Sequence, residues 1–261
     1  MERTAPVAFI DSGLGGISVL REAVRQLPEE NFAYYGDSLH APYGVRTVEQ
    51  VRGLTMAAAE KLVHLGAKAL VVACNTATAA AIRLLRQTYP ELIVIGTEPA
   101  IKPAVEQFPG GRILMLATPM TVKEEKFQRL REQYQEQAEI LAVPCGGLME
   151  YVERGMLRGE EVEQYLIDKL EPYLKVPVDA VVLGCTHYPF LRAAIRKVVG
   201  RRPVIMDGSA GIAHQLQRRL QEKDLLNDSG VPGQVQFFNS LDEPEILELS
   251  RALLNYRDEE I

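Results

Sequence analysis

Short apolar runs alternate with longer stretches of helical periodicity along the chain. The run PVAFID at 6–11 predicts a strand, followed by the turn SGLGG and a helix to about Gln26. NFAYYGD at 31–37 predicts a second strand, with a loop containing Ala-Pro-Tyr-Gly at 41–44 after it. Residues 47–65 repeat apolar positions at helical spacing. ALVVAC at 69–74 has the unbroken hydrophobicity of a strand covered on both faces. A helix is expected after Asn75-Thr76, and another strand at ELIVIG, 91–96.

The pattern then starts again. GRILMLATPMT at 111–121 predicts a strand and turn followed by the charged helix EEKFQRLREQY. AEILAVP at 138–144 predicts a strand, 160–174 a helix, and DAVVLGC at 179–185 a second central strand. Cys74 and Cys185 are separated by nearly the interval that separates Ser12 from Thr118, which suggests two related halves. The expected fold class is α/β: two similar domains, each with a mostly parallel sheet flanked by helices. The first half gives way to the second near GTEPAIKPA at 96–104. The tail, with its helical stretch, the strand QVQFFN and a final helix, is expected to return to the first half. The expected division is therefore 1–97 plus 209–261 for a discontinuous first domain and 98–208 for the second. Sheets of this kind bind ligands beyond the carboxyl ends of their strands, so the active site is expected in the interdomain cleft.

Composition narrows the function classes. Of the 261 residues 47% are hydrophobic and 25% charged, an ordinary globular balance. The net charge of −6 and the lack of a Lys/Arg run argue against a nucleic-acid partner. No run approaches a membrane span and no secretory leader is visible, so a soluble, cytoplasmic protein is expected. Three cysteines in so long a chain do not form a disulfide framework. Cys74, Cys145, Cys185 and His187 lack the paired spacing of zinc ligands, so no metal is expected.

The chemistry gathers where strands end. Cys74 and Cys185 each close an apolar run and are followed by residues that open a turn. A thiol there meets unpaired backbone N–H groups, which favour a thiolate and can hold a carboxylate. Asn75, Thr76, Thr186 and His187 are thereby candidates for carboxylate binding. Either cysteine alone reads more readily as a small buried core residue; the matching contexts on both reverse that in favour of reactive thiols. Asp11 can accept a proton or hold an ammonium group, or simply form a turn with its own backbone. His187 lies two residues beyond Cys185, close enough to relay a proton. The other histidines carry no such signal.

The motifs FIDSGLGG (9–16), GDSLHAPYG (36–44), VVACNTATA (71–79), GTEPAIKPA (96–104), YVERG (151–155) and VLGCTHYP (182–189) together resemble the cofactor-independent glutamate racemases of the aspartate/glutamate racemase superfamily. The resemblance runs almost end to end. It implies that Cys74 takes the α-proton of D-glutamate and Cys185 that of L-glutamate. Asp11 would assist Cys74, and His187 with Glu153 would assist Cys185. Substrate contacts would come from Asp11, Ser12, Tyr43, Gly44, Asn75, Thr76, Thr118, Thr121, Thr186 and His187. It further implies no cofactor, glutamate as the small-molecule partner, a homodimer, and D-glutamate supply for peptidoglycan synthesis. Racemisation of aspartate, a single-thiol reaction such as decarboxylation, and amino-acid binding without turnover are the alternatives.

Overall fold

The computed structural model describes residues 2–123 and 125–257. Nine strands occur among them: β1 (Val7–Asp11), β2 (Phe32–Gly36), β3 (Ala69–Val72), β4 (Ile93–Gly96), β5 (Arg112–Ala117), β6 (Glu139–Pro144), β7 (Ala180–Leu183), β8 (Val204–Met206) and β9 (Val235–Asn239). They form two sheets, of order β4-β3-β1-β2-β9 and β6-β5-β7-β8. Every recorded strand pair is parallel. Parallel strands need helical crossovers and are covered on both faces, which explains why β1, β3 and β7 are wholly buried.

The contacts divide the chain into two compact units, Met1–Thr97 with Ser209–Asn255, and Glu98–Gly208 with Tyr256–Ile261. From the opposite edge, the second sheet runs β8-β7-β5-β6, the same order as β4-β3-β1-β2. Thus β5 corresponds to β1 and β7 to β3, and β9 is an addition at the β2 edge. Cys74 follows β3 and Cys185 follows its counterpart; Ser12 and Thr118 follow the other equivalent pair.

Both cysteine-bearing strands end two residues earlier than their apolar runs. The ladders close at Val72 and Leu183. Beyond them Ala73 N–H donates to Ile10 O at 2.8 Å and Gly184 N–H to Leu116 O at 2.7 Å, so the chain leaves each sheet still pinned to its neighbour. No helix among the described residues is long and apolar enough to cross a membrane.

Candidate active site

In the first unit, helix Asn75–Thr88 begins directly after Cys74, which acts as its N-cap: the extended φ/ψ of −68° and 125° turns the thiol back over the first turn. Cys74 Sγ accepts the Ala77 N–H at 3.4 Å and lies 3.7 Å from Ser12 Oγ. A capping thiol at the positive end of a helix dipole is in the environment that favours thiolate. The helix starts at Asn75, earlier than the pattern after Asn75-Thr76 predicts, because the cap falls on the cysteine itself. Thr76 is buried in the first turn.

Asp11 ends β1 and is fully buried. Its Oδ2 accepts the Gly13 N–H at 3.1 Å, the local turn bond that a turn-forming Asp makes. Crowding explains one glycine of the loop after it, Gly16, and Gly36 at the end of β2. A Cβ on Gly16 would lie 2.7 Å from Asp11 Cβ and 3.0 Å from Ala73 Cβ, and one on Gly36 would lie 2.5 Å from Gly13 O. Tyr34 Oη donates to Gly13 O at 2.7 Å and holds the loop from the neighbouring strand.

Tyr43 and Gly44 lie in the short 3-10 turn Tyr43–Val45. Tyr43 is buried, and its hydroxyl donates to Asp37 Oδ2 at 2.6 Å, while His40 Nδ1 lies 2.8 Å from Asp37 Oδ1. Asp37 follows β2 and its N–H bonds Asp11 O at 3.1 Å, which seats the Tyr43 loop beside the Asp11 tip. Burial, the Asp37 hydrogen bond and the charges of Asp37, Cys74 and Asp11 all raise the Tyr43 pKa, so its hydroxyl remains a neutral donor. Sequence reasoning missed Asp37. Its signal was the same as that of Asp11, a carboxylate closing an apolar run.

The second unit surrounds its thiol differently. Cys185 is followed by a single 3-10 turn, Tyr188–Leu191, with the helix Arg192–Val199 only after it. Instead of a helix N-terminus, Cys185 Sγ has His187 Nδ1 at 3.7 Å. His187 Nε2 lies 2.6 Å from Oε1 of Glu153, the last residue of helix Leu148–Glu153. Glu153 is therefore the partner of a buried histidine rather than a solvated surface residue. Burial opposes the charged imidazole, but hydrogen bonds and charge attraction from Cys185 and Glu153 outweigh it, raising the His187 pKa well above 6.5.

A raised folded-state pKa stabilises the fold fully below the ordinary histidine value, and that stabilisation is lost as pH rises through the folded value. The stability advantage of the wild type over His187→Asn should therefore be largest at mildly acid pH and shrink with increasing pH. Urea unfolding across a pH series checks this; a gap growing with pH would contradict the direction.

Thr118 and Thr121 follow β5 as a hydroxyl pair, Oγ1 to Oγ1 3.0 Å, with the Thr121 N–H donating to Thr118 Oγ1 at 3.2 Å. Thr121 and Thr186 are both buried. Cys145 is a different kind of cysteine. It is buried after β6, its thiol donates to Val143 O at 3.5 Å, and burial pushes its pKa up to about 12. It stays a protonated packing residue. Among the described residues no group of three or more His, Cys, Asp or Glu could hold a metal ion.

The family model for Asp/Glu/Hydantoin racemase matches residues 12–215, from the Asp11 tip past the His187 turn. The chain belongs to the Asp/Glu/Hydantoin racemase family. It is an isomerase of the racemase class. Its similarity to curated family members extends over almost the full length. It is 52% identical over 250 residues to a glutamate racemase of Clostridium acetobutylicum, covering 96% of this chain and 97% of that one. It is 46% identical over 255 residues to a glutamate racemase of Clostridium perfringens, covering 98% of each. The fold matches that of Escherichia coli glutamate racemase, solved with L-glutamate and the activator UDP-MurNAc-ala. The TM-score is 0.85 at 28% identity, covering 95% of each chain.

Proposed function

We propose that the protein interconverts L- and D-glutamate by proton transfer at Cα, with Cys74 and Cys185 as the two bases. The observation that carries this reading is the equivalence of the two tips. Two thiols follow strands of matching rank in two sheets of the same order, each beside hydroxyl and N–H donors suited to a carboxylate. The glutamate racemases similar to this chain support the substrate. With D-glutamate, the Cys74 thiolate takes the α-proton and the C–H electron pair remains on a planar, carbanion-like Cα. The Cys185 thiol then delivers its proton to the opposite face, giving L-glutamate, and the reverse direction exchanges the roles. Negative charge building on the carboxylate is stabilised by the N–H groups and hydroxyls of Ser12, Asn75, Thr76 and Thr186. Asp11 assists Cys74, and the His187–Glu153 pair assists Cys185. Tyr43, Gly44, Thr118 and Thr121 complete the substrate contacts. D-glutamate made in this way supplies peptidoglycan synthesis.

Circular dichroism tests the reading. L-glutamate and D-glutamate should each lose their signal completely, because enantiomers are equal in free energy in water. In heavy water, product from the first turnover should carry deuterium at Cα. Unlabelled product, or glutamate bound without loss of signal, would overturn the proposal.

A further inference from the structure

Tyr256 is an aromatic residue outside this machinery that touches both segments serving Cys185. The helix Pro244–Leu254 belongs to the first unit, yet Tyr256, two residues beyond it, belongs to the second. The Tyr256 ring meets Phe190 edge-on, with centroids 6.2 Å apart and planes at 63°. The Arg158 guanidinium lies 6.0 Å from the centroid of the same ring. These partners mark out the acid–base pair. Arg158 stands five residues after Glu153, and Phe190 three after His187. Phe190 is fully buried and its N–H donates to His187 O at 3.1 Å. One ring therefore spans the two segments whose registration sets the 2.6 Å contact between His187 and Glu153.

We propose that Tyr256 is a positioning residue for Cys185, clamping the Glu153 and His187 segments so that the imidazole stays aligned on the thiol. The proposal rests on the two-thiol reading above. It assigns the C-terminal segment to one of the two proton transfers and leaves the other, at Cys74, untouched. Losing the clamp misplaces His187 and raises the barrier for the transfer at Cys185. A misplacement near one ångström costs up to about a hundredfold in rate.

The test reads isotope effects separately for the two enantiomers. Because the equilibrium constant is one, any variant must lower kcat/KM equally in both directions, so rate alone cannot locate the damage. With Tyr256→Ala, kcat/KM should fall about tenfold to a hundredfold. The effect of α-deuteration should grow for L-glutamate, whose proton goes to Cys185, and shrink toward one for D-glutamate. Tyr256→Phe retains the ring and should keep the wild-type isotope effects. Isotope effects that stay unchanged or move together would overturn the proposal, as would an unchanged kcat/KM or a phenylalanine variant that behaves like alanine. If the alanine variant does not fold, Tyr256→Leu keeps apolar bulk without the ring, and the same measurement decides. Cys185→Ala separates the two layers. An active Cys185→Ala enzyme refutes the two-thiol reading, whereas an inactive one beside a symmetric Tyr256→Ala refutes only the role of Tyr256.

Discussion

Replacing either Cys74 or Cys185 by alanine should reduce racemisation by at least about a thousandfold, in both directions alike. A positioned acid or base contributes roughly a hundredfold to ten-thousandfold, and in the proposed mechanism both thiols act in every turnover, one as base and the other as acid. The two variants should differ in what they retain. With Cys185 removed, Cys74 can still lift and return the proton on its own face, so D-glutamate should exchange its α-hydrogen with solvent while L-glutamate does not. Cys74→Ala should show the converse. Proton NMR in heavy water reads both exchange rates without any racemisation. A variant that still racemises at a tenth of the wild-type rate or more would sink the assignment of that cysteine. Exchange of both enantiomers by one single-cysteine variant would show that the faces are not divided between the thiols. The surroundings make full equivalence of the thiols unexpected, since Cys74 caps a helix of 14 residues whereas Cys185 Sγ has His187 Nδ1 3.7 Å away.

The largest effect on stability is expected at Lys68. Its side chain is 0% exposed and that of Glu30 1%, and Lys68 Nζ lies 2.5 Å from Glu30 Oε2. The ammonium also donates to Leu225 O at 2.9 Å and to the Arg3 carbonyl, while Glu30 Oε1 accepts the Asn227 N–H at 2.8 Å. Three donors of the ammonium thus meet three acceptors. The pair joins the N-terminal segment, the entry to β2 and the loop after helix Ser209–Glu222. Removing one partner of such a pair typically costs about 3–5 kcal/mol, because the other is left as an uncompensated buried charge. Lys68→Ala should lower unfolding free energy by that amount in urea titrations. The double replacement Lys68→Met with Glu30→Leu should recover most of it, since both desolvation costs vanish together. A loss below about 1 kcal/mol in the single variant would place the pair in the class of solvated surface bridges.

Neither residue of this pair stood out in the sequence. Lys68 and Glu30 are 38 positions apart, one directly before β3 and the other two residues before β2, where charged residues ordinarily face solvent. Burial of a charge is a property of what packs over it, and here the cover comes from the N-terminal segment and the loop at Leu225, distant in sequence. Asp37 was overlooked for a related reason, since its importance depends on Tyr43 folding back to donate to it. Tyr256 reads in sequence as one aromatic in a polar tail. Its contact with Phe190 arises only when the chain crosses from one unit to the other after Asn255.

Local pattern was a reliable guide where the cause was local. Strands covered on both faces leave apolar runs that no other arrangement requires, so all the strands flanking the candidate site, and the helices at 48–64 and 160–174, could be placed from periodicity alone. The same runs overshoot at Cys74 and Cys185, because apolar character continues past the last ladder bond into the turn. Residue type and position also made candidates of the two thiols, Asp11, and His187 beside Cys185, since each lies at or just beyond a strand tip, where chemistry and chain order coincide.

By itself, then, the sequence determined the alternating α/β order, the paired cysteine tips and the residue types able to bind an amino acid. Tertiary structure alone decided how each thiol is supported. Cys74 caps a helix, Cys185 leans on a histidine held by Glu153 from 34 residues away, and Cys145 is buried into inertness. Hydrogen bonds, desolvation and charge act through space over a few ångströms, and only folding brings residues from separate segments within that distance.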